Sequence, residues 1–190
     1  KKSSISVVFK YLYRNGFLEK DITDVFFPIK VPKQREIVIK ALYDDEVMRM
    51  LDVVRTGEGL TDREKRSWEK TKKRDFAIIL LFITYGLRLY ELQQLNLSSF
   101  QFSRGEFIIY RKRGKESIMP LNGTIEHAIK DYIENERPTA DQILPQDRDA
   151  LFISLKRNRF SERQIRDMIK KYTALVMDVG KNEGYSPHKL

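Results

Sequence analysis

The stretch Thr84-Tyr85-Gly86-Leu87-Arg88-Leu89-Tyr90-Glu91-Leu92 sets an arginine two residues after a glycine, between two apolar segments. Upstream, Phe76 to Tyr85 is the longest apolar run in the chain. It is about half of the roughly 20 residues that a membrane-spanning helix needs, so it reads as a buried core helix. Downstream, Leu89, Leu92 and Leu95 mark a short amphipathic helix. The glycine breaks the chain between the two, and Arg88 stands at the break. An arginine in such a place ordinarily caps a helix or faces solvent. Because this one follows a buried helix, its guanidinium can instead be anchored by the core and aimed into a cleft, a geometry suited to bidentate phosphate binding.

Working outward, a helix is expected after Asp44, with Val47, Met50, Leu51 and Val54 on one face and Gly57 and Gly59 ending it. Another opens at Thr61-Asp62-Arg63-Glu64, a capping box whose surface is almost wholly charged apart from Trp68. The buried helix starts near Asp75. From Ser99 to Leu121 the pattern changes to β-rich runs at Phe100–Phe102, Phe107–Tyr110 and Ser117–Met119, which predict a three-stranded antiparallel sheet. Residues 123–136 read as a helix, Arg137 to Asp149 as a polar loop, and Leu151–Leu155 as a short apolar strand or turn. The last long helix starts at Ser161, capped with Gln164, and its apolar spacing runs from Ile165 to Val179. The fold class is therefore mainly α with one small sheet. Towards the N-terminus, residues 4–18 read as one helix stopped at Asn15-Gly16, and the stretch from Asp21 to Lys40, with Pro28 and Pro32, as an extended linker. A domain boundary is placed near residue 40.

A formal charge of +9 across 190 residues, with 27 acidic residues also present, describes a folded domain with a basic face and points to a polyanionic partner. The absence of cysteine removes disulfides, thiolate metal sites and thiol nucleophiles, and fits a reducing, cytoplasmic setting. No metal site, signal segment or membrane span is expected.

Two further motifs carry chemistry. In Tyr110-Arg111-Lys112-Arg113-Gly114-Lys115-Glu116-Ser117-Ile118-Met119-Pro120-Leu121, a hairpin tip holds four cations in five residues. Such a tip can simply be a solvated turn that blunts a sheet edge. It can also reach a DNA groove, neutralise phosphates and deliver a proton to a leaving oxygen. Ser186-Pro187-His188-Lys189-Leu190 contributes a histidine near the end of the chain. The segment from Lys156 through Arg157, Arg159 and Arg163 to Gln164 places cations and an amide around the start of the last helix. Such side chains can read base edges there, or serve only as loop and cap.

In this order and spacing, residues 84–95, 110–121 and 186–190 resemble the tyrosine recombinase or phage-type integrase family, with an Xer-like character, over about residues 41–190. The family shows an arginine in Thr-Gly-Leu-Arg-x-x-Glu-Leu, a hairpin lysine, a His-x-x-Arg box, and last a nucleophilic tyrosine. The resemblance implies a catalytic domain at 41–190. It assigns Arg88 to the first catalytic arginine, Glu91 to the acid that supports that turn, Lys112 to the hairpin lysine and His188 to the box histidine. Arg111 and Arg113 stand where the family often has glycine, so Lys115 is the alternative to Lys112. Arg111, Arg113 and Lys115 are expected to contact DNA. Residues 1–25 resemble a remnant helix of a preceding core-binding domain, joined by a linker at 26–40.

The implied activity is site-specific cutting and rejoining of double-stranded DNA through a 3′-phosphotyrosine, without metal, ATP or other cofactor. The expected assembly is a homotetramer on paired sites, with a monomer open for this chain alone. Both ends read as cuts, and none of the nine tyrosines follows His188. The resemblance therefore puts the second arginine and the nucleophile beyond Leu190, and the fragment is expected to be inactive. Two other readings stay open: a noncatalytic basic DNA-binding protein, such as a regulator or nucleoid protein, and a basic protein-interaction domain.

Overall fold

The computed structural model describes residues 2–25, 41–111, 114–180 and 183–189. The chain divides into two compact units, Lys1–Val38 and Ile39–Leu190. In the first unit, helix α1 (Lys2–Arg14) is followed by a 3-10 turn at Ile22–Val25. Its end falls at the expected stop, where the Asn15 side-chain amide donates to the Tyr11 carbonyl at 2.8 Å. The expected linker at 26–40 lies outside the described residues.

The second unit is built around α4 (Lys72–Tyr85), whose residues from Ala77 to Phe82 are all buried. A helix apolar on every side must be surrounded. Helix α2 (Asp44–Thr56) and α6 (Gly123–Asn135) pack on α4, and α7 (Glu162–Met177) packs on α2 and on the short α5 (Leu89–Gln93). The capping box at Thr61 starts α3 (Asp62–Trp68), and Trp68 turns inward to donate its indole N–H to the Val54 carbonyl at 2.7 Å.

The sheet has the order β1 (Phe100–Gln101), β2 (Glu106–Tyr110), β3 (Glu116–Pro120), antiparallel throughout, with Phe107 opposite Met119 and Tyr110 opposite Glu116. Phe107 and Ile109 alternate inward along β2, and Phe107 meets the Tyr85 ring edge-on at 5.0 Å between centroids.

The first strand ends at Gln101, Phe102 opening a 3-10 turn, and two helix boundaries also depart from the sequence pattern. Helix α4 begins at Lys72, three residues before the expected start near Asp75. The Glu136 carboxylate accepts from the backbone amides of Lys73 and Arg74 at 2.8 and 2.9 Å, so a residue from the end of α6 supplies the missing cap. Helix α7 stops at Met177, short of Val179. Asp178 adopts a left-handed conformation (φ 53°), and the Val179 amide folds back to the Ala174 carbonyl at 3.0 Å, leaving the Val179 side chain 37% exposed.

Candidate active site

Gly86 ends α4 with φ 57°, a conformation that costs a side-chain-bearing residue but not glycine. The chain then turns through Leu87, which is buried, and Arg88 becomes the N-cap of α5. Glu91 binds both parts of Arg88: its carboxylate accepts from the Arg88 backbone amide at 2.8 Å and from the guanidinium at 2.9 Å. Glu91 is only 5% exposed, whereas the Arg88 side chain is 60% exposed. A buried carboxylate therefore grips one edge of a guanidinium whose remainder faces outward.

Tyr85, immediately before that turn, ties it to the hairpin. Its hydroxyl donates to the Pro120 carbonyl at 2.8 Å and accepts from the Asn122 amide at 2.9 Å. The base of β3 and the start of the arginine turn thus share one anchor. At the other end of the hairpin, the Arg111 amide donates to the Lys115 carbonyl at 2.8 Å, and both side chains are exposed. Lys112 and Arg113 lie outside the described residues.

His188 sits in a 3-10 turn, Pro187–Lys189, and is exposed. The preceding residues are seated on α7. The Thr173 hydroxyl, which faces the Ile169 carbonyl at 2.9 Å, also lies 3.3 Å from the Tyr185 carbonyl, and Gly184 lies so close to the Lys170 carbonyl that any side chain would run into it. Since α7 also packs on α5, the histidine turn and the arginine turn are carried by adjoining helices.

The segment before α7 folds as a tight turn in which Ile153 bridges to Arg159 and the Ser154 hydroxyl bonds to the Asn158 side chain. Lys156, Arg157 and Arg163 are exposed, the Arg163 side chain 88% so. Gln164 closes the expected capping box by accepting from the Ser161 amide at 3.0 Å. Arg159 is different: its guanidinium donates to the Gln93 and Leu95 carbonyls at 3.0 and 3.2 Å and to Asn96 Oδ1 at 2.6 Å. Read from sequence as a DNA contact, its guanidinium is instead engaged within the protein, where the Gln93 carbonyl at the end of α5 takes it as a donor.

Sequence reasoning missed a buried polar centre at the start of α4. Arg74 donates to Asp75 Oδ1 through Nε and Nη2 at 3.0 and 2.7 Å, reaches the Ile153 carbonyl at 3.0 Å, and lies 3.9 Å over the Phe160 ring. Tyr172 donates to Asp75 Oδ2 at 3.0 Å. Burial, then the neighbouring Asp75, holds the Tyr172 phenol well above its ordinary range, and burial pushes Tyr132 up to about 12. Both phenols are thus held protonated and structural. Adjacent Arg74-Asp75 in a charged run gave no periodic signal that could have revealed this.

Residues 40–190 match the Phage integrase family. Over 192 residues the chain is 29% identical to the tyrosine recombinase XerC of Thermodesulfovibrio yellowstonii, covering 100% of this chain and 58% of the relative. Among solved structures, XerA recombinase is similar over 99% of this chain and 58% of its own, with a TM-score of 0.54 and 22% identity. The Tn1549 transposon integrase (aa 82-397) in complex with circular intermediate DNA is similar over 99% of this chain and 61% of its own, with a TM-score of 0.62 and 14% identity. At such identities the structural likeness speaks for the fold. The chain spans a little over half the length of the curated relatives it matches. The arginine turn, the three-stranded sheet and the match across residues 40–190 lead to one conclusion: this chain belongs to the phage integrase family of tyrosine recombinases.

Proposed function

We propose that the chain supplies most of the catalytic domain of a site-specific recombinase that cuts and rejoins double-stranded DNA through a 3′-phosphotyrosine. The observation that carries this reading is Arg88, a largely exposed guanidinium held from behind by a buried carboxylate at a helix break. It is oriented without being used up.

In the proposed reaction a tyrosine oxygen attacks phosphorus, the 5′-oxygen departs, and a second strand later reverses the exchange. Because one phosphodiester-level bond replaces another, no ATP or metal is required. Arg88 binds the nonbridging oxygens, which gain charge at the five-coordinate transition state, and Glu91 fixes its aim. Lys112 protonates the leaving 5′-oxygen, a transfer worth typically about 100- to 10,000-fold. His188 donates to the phosphate or assists deprotonation of the tyrosine.

Arg111, Arg113 and Lys115 on the hairpin, with Lys156, Arg157, Arg163 and Gln164 around the start of α7, form the proposed DNA contacts. Arg159 is left out because its guanidinium is engaged internally. We further propose that residues 1–25 belong to a DNA-clamping domain joined by the linker 26–40, and that four protomers assemble on paired sites in the cytoplasm. No helix among the described residues is long and apolar enough to cross a membrane.

The test is duplex binding followed by covalent trapping. Six neutralised phosphates, one for each proposed cationic contact, predict a loss of affinity of about a thousandfold between roughly 50 and 200 mM salt. With the complete gene product, a nicked suicide substrate should yield a protein–DNA adduct that Arg88→Ala and Lys112→Ala abolish. Salt-dependent binding without any adduct would favour a noncatalytic DNA-binding protein, and absence of duplex binding would leave the protein-interaction reading. Lys112→Ala retaining full cleavage while Lys115→Ala loses it would move the acid role to Lys115.

A further inference from the structure

We infer that Arg159 is a positioning residue that links seating of the 156–164 segment on DNA to the aim of the Arg88 turn. The inference rests on the reading of Arg88 and of that segment proposed above.

Helix α5 has five residues, Leu89–Gln93, far below the length at which a helix holds itself together in water. Buried Leu89 and Leu92 seat it against the core, and side-chain bonds at its two ends trim its orientation. At the N-terminal end the grip is the Arg88–Glu91 pair. At the C-terminal end it is Arg159, whose Nη1 bonds the Gln93 and Leu95 carbonyls and whose Nη2 bonds Asn96 Oδ1. A cation is also the favourable charge at that pole of the helix.

Arg159 is itself held from the other side. Its amide donates to Asp147 Oδ2 at 3.0 Å, and its backbone bridges to Ile153. The next residue, Phe160, is buried and bonds back to the Phe152 carbonyl at 2.8 Å. Ser161 then caps α7.

The guanidinium is planar, with donors at fixed angles, so a shift of the 156–161 turn cannot be absorbed by a swivelling ammonium. It is passed to residues 93–96 and through the single turn of α5 to Arg88. The acid that aims Arg88 and the carbonyl that Arg159 holds are only two residues apart, Glu91 and Gln93.

The experiment is hydrogen exchange by mass spectrometry on the chain, with and without duplex DNA, in wild type, Arg159→Lys and Asn96→Ala. Arg159→Lys keeps the charge but removes the fork, and Asn96→Ala removes a partner from the opposite side. In wild type, DNA is expected to slow exchange at 86–96 as well as at 156–164. In both variants, protection at 156–164 persists, while the DNA-induced protection at 86–96 falls by about fivefold or more. Unchanged protection at 86–96 in both variants overturns the inference. So does exchange that rises equally in α4 and the sheet in both variants, since that is the mark of a merely stabilising residue. Wild-type binding that leaves 86–96 unaffected overturns this inference alone, whereas a wild-type chain that binds no duplex removes the DNA reading and the inference with it.

Discussion

Helix α4 has an arginine–carboxylate pair at each end, and the two pairs are built to opposite plans. At its start, Arg74 and Asp75 are 7% and 2% exposed, and Ile153, Phe160 and Tyr172 enclose them. Beyond its end, Glu91 is 5% exposed but Arg88 is 60% exposed. Both arginines meet a buried acid. Only one is surrounded, and the difference separates a guanidinium enclosed by the protein from one left open to solvent. Desolvating a charge is costly, so an enclosed pair is tolerable only when its bonds are complete. An exposed guanidinium keeps most of its hydration and can exchange it for phosphate oxygens.

The strongest way to break this comparison is to remove each arginine in turn. Arg74→Ala leaves Asp75 buried without its cation and should cost about 3–5 kcal/mol. Arg88→Ala should cost no more than about 2 kcal/mol, because Glu91 retains the Arg88 backbone amide. Urea denaturation of the two variants checks this, and equal losses would erase the distinction.

A sharper probe of the enclosed end is Tyr172→Phe, which deletes one hydrogen bond to the Asp75 carboxylate. A loss of about 1.5–3 kcal/mol is expected, with the ring packing kept. A change within experimental error would mean that Arg74 and the Thr71 hydroxyl suffice for Asp75.

The smallest effect concerns the carboxylate that caps α4. Burial raises the Glu136 pKa more than its two backbone amides lower it, with Asp75 adding to the rise. The folded chain thus keeps a proton on Glu136 where the unfolded chain has lost it. The contribution of this group to stability therefore declines as pH rises from about the ordinary carboxylate value through the raised one, and is level above it. Glu136→Gln does not titrate, so the stability difference between variant and wild type should move in favour of the variant between about pH 4 and pH 7. Denaturation midpoints at the two pH values measure this, and movement in the opposite direction would show that the amide bonds outweigh burial.

Much of the fold was legible in the chain itself. Helix α7 repeats its apolar residues every three or four positions and carries both halves of its own cap, Ser161 and Gln164, so no distant residue is needed to see it. The glycine break before Arg88 and the alternation in β2 are equally local. The hairpin cations were visible as a cluster, yet their register between Lys112 and Lys115 was not, since neighbouring cations on a tip obey no periodicity. Arg159 looked like its exposed neighbours Lys156, Arg157 and Arg163, because sequence records a charge and not the direction in which it points.

By itself, the amino-acid sequence determined the order of helices and strands, the basic character, and the motifs at Arg88, the hairpin and His188. All of these depend on spacings within a few residues, where backbone geometry converts position into direction. Only the tertiary structure decided that Glu136 caps a helix 62 and 63 residues before it, that Arg74 and Asp75 are enclosed, and that Arg159 closes the end of α5 from 63 to 66 residues away. Those choices depend on which unsatisfied backbone groups packing brings within reach of a side chain, and no local pattern encodes that encounter.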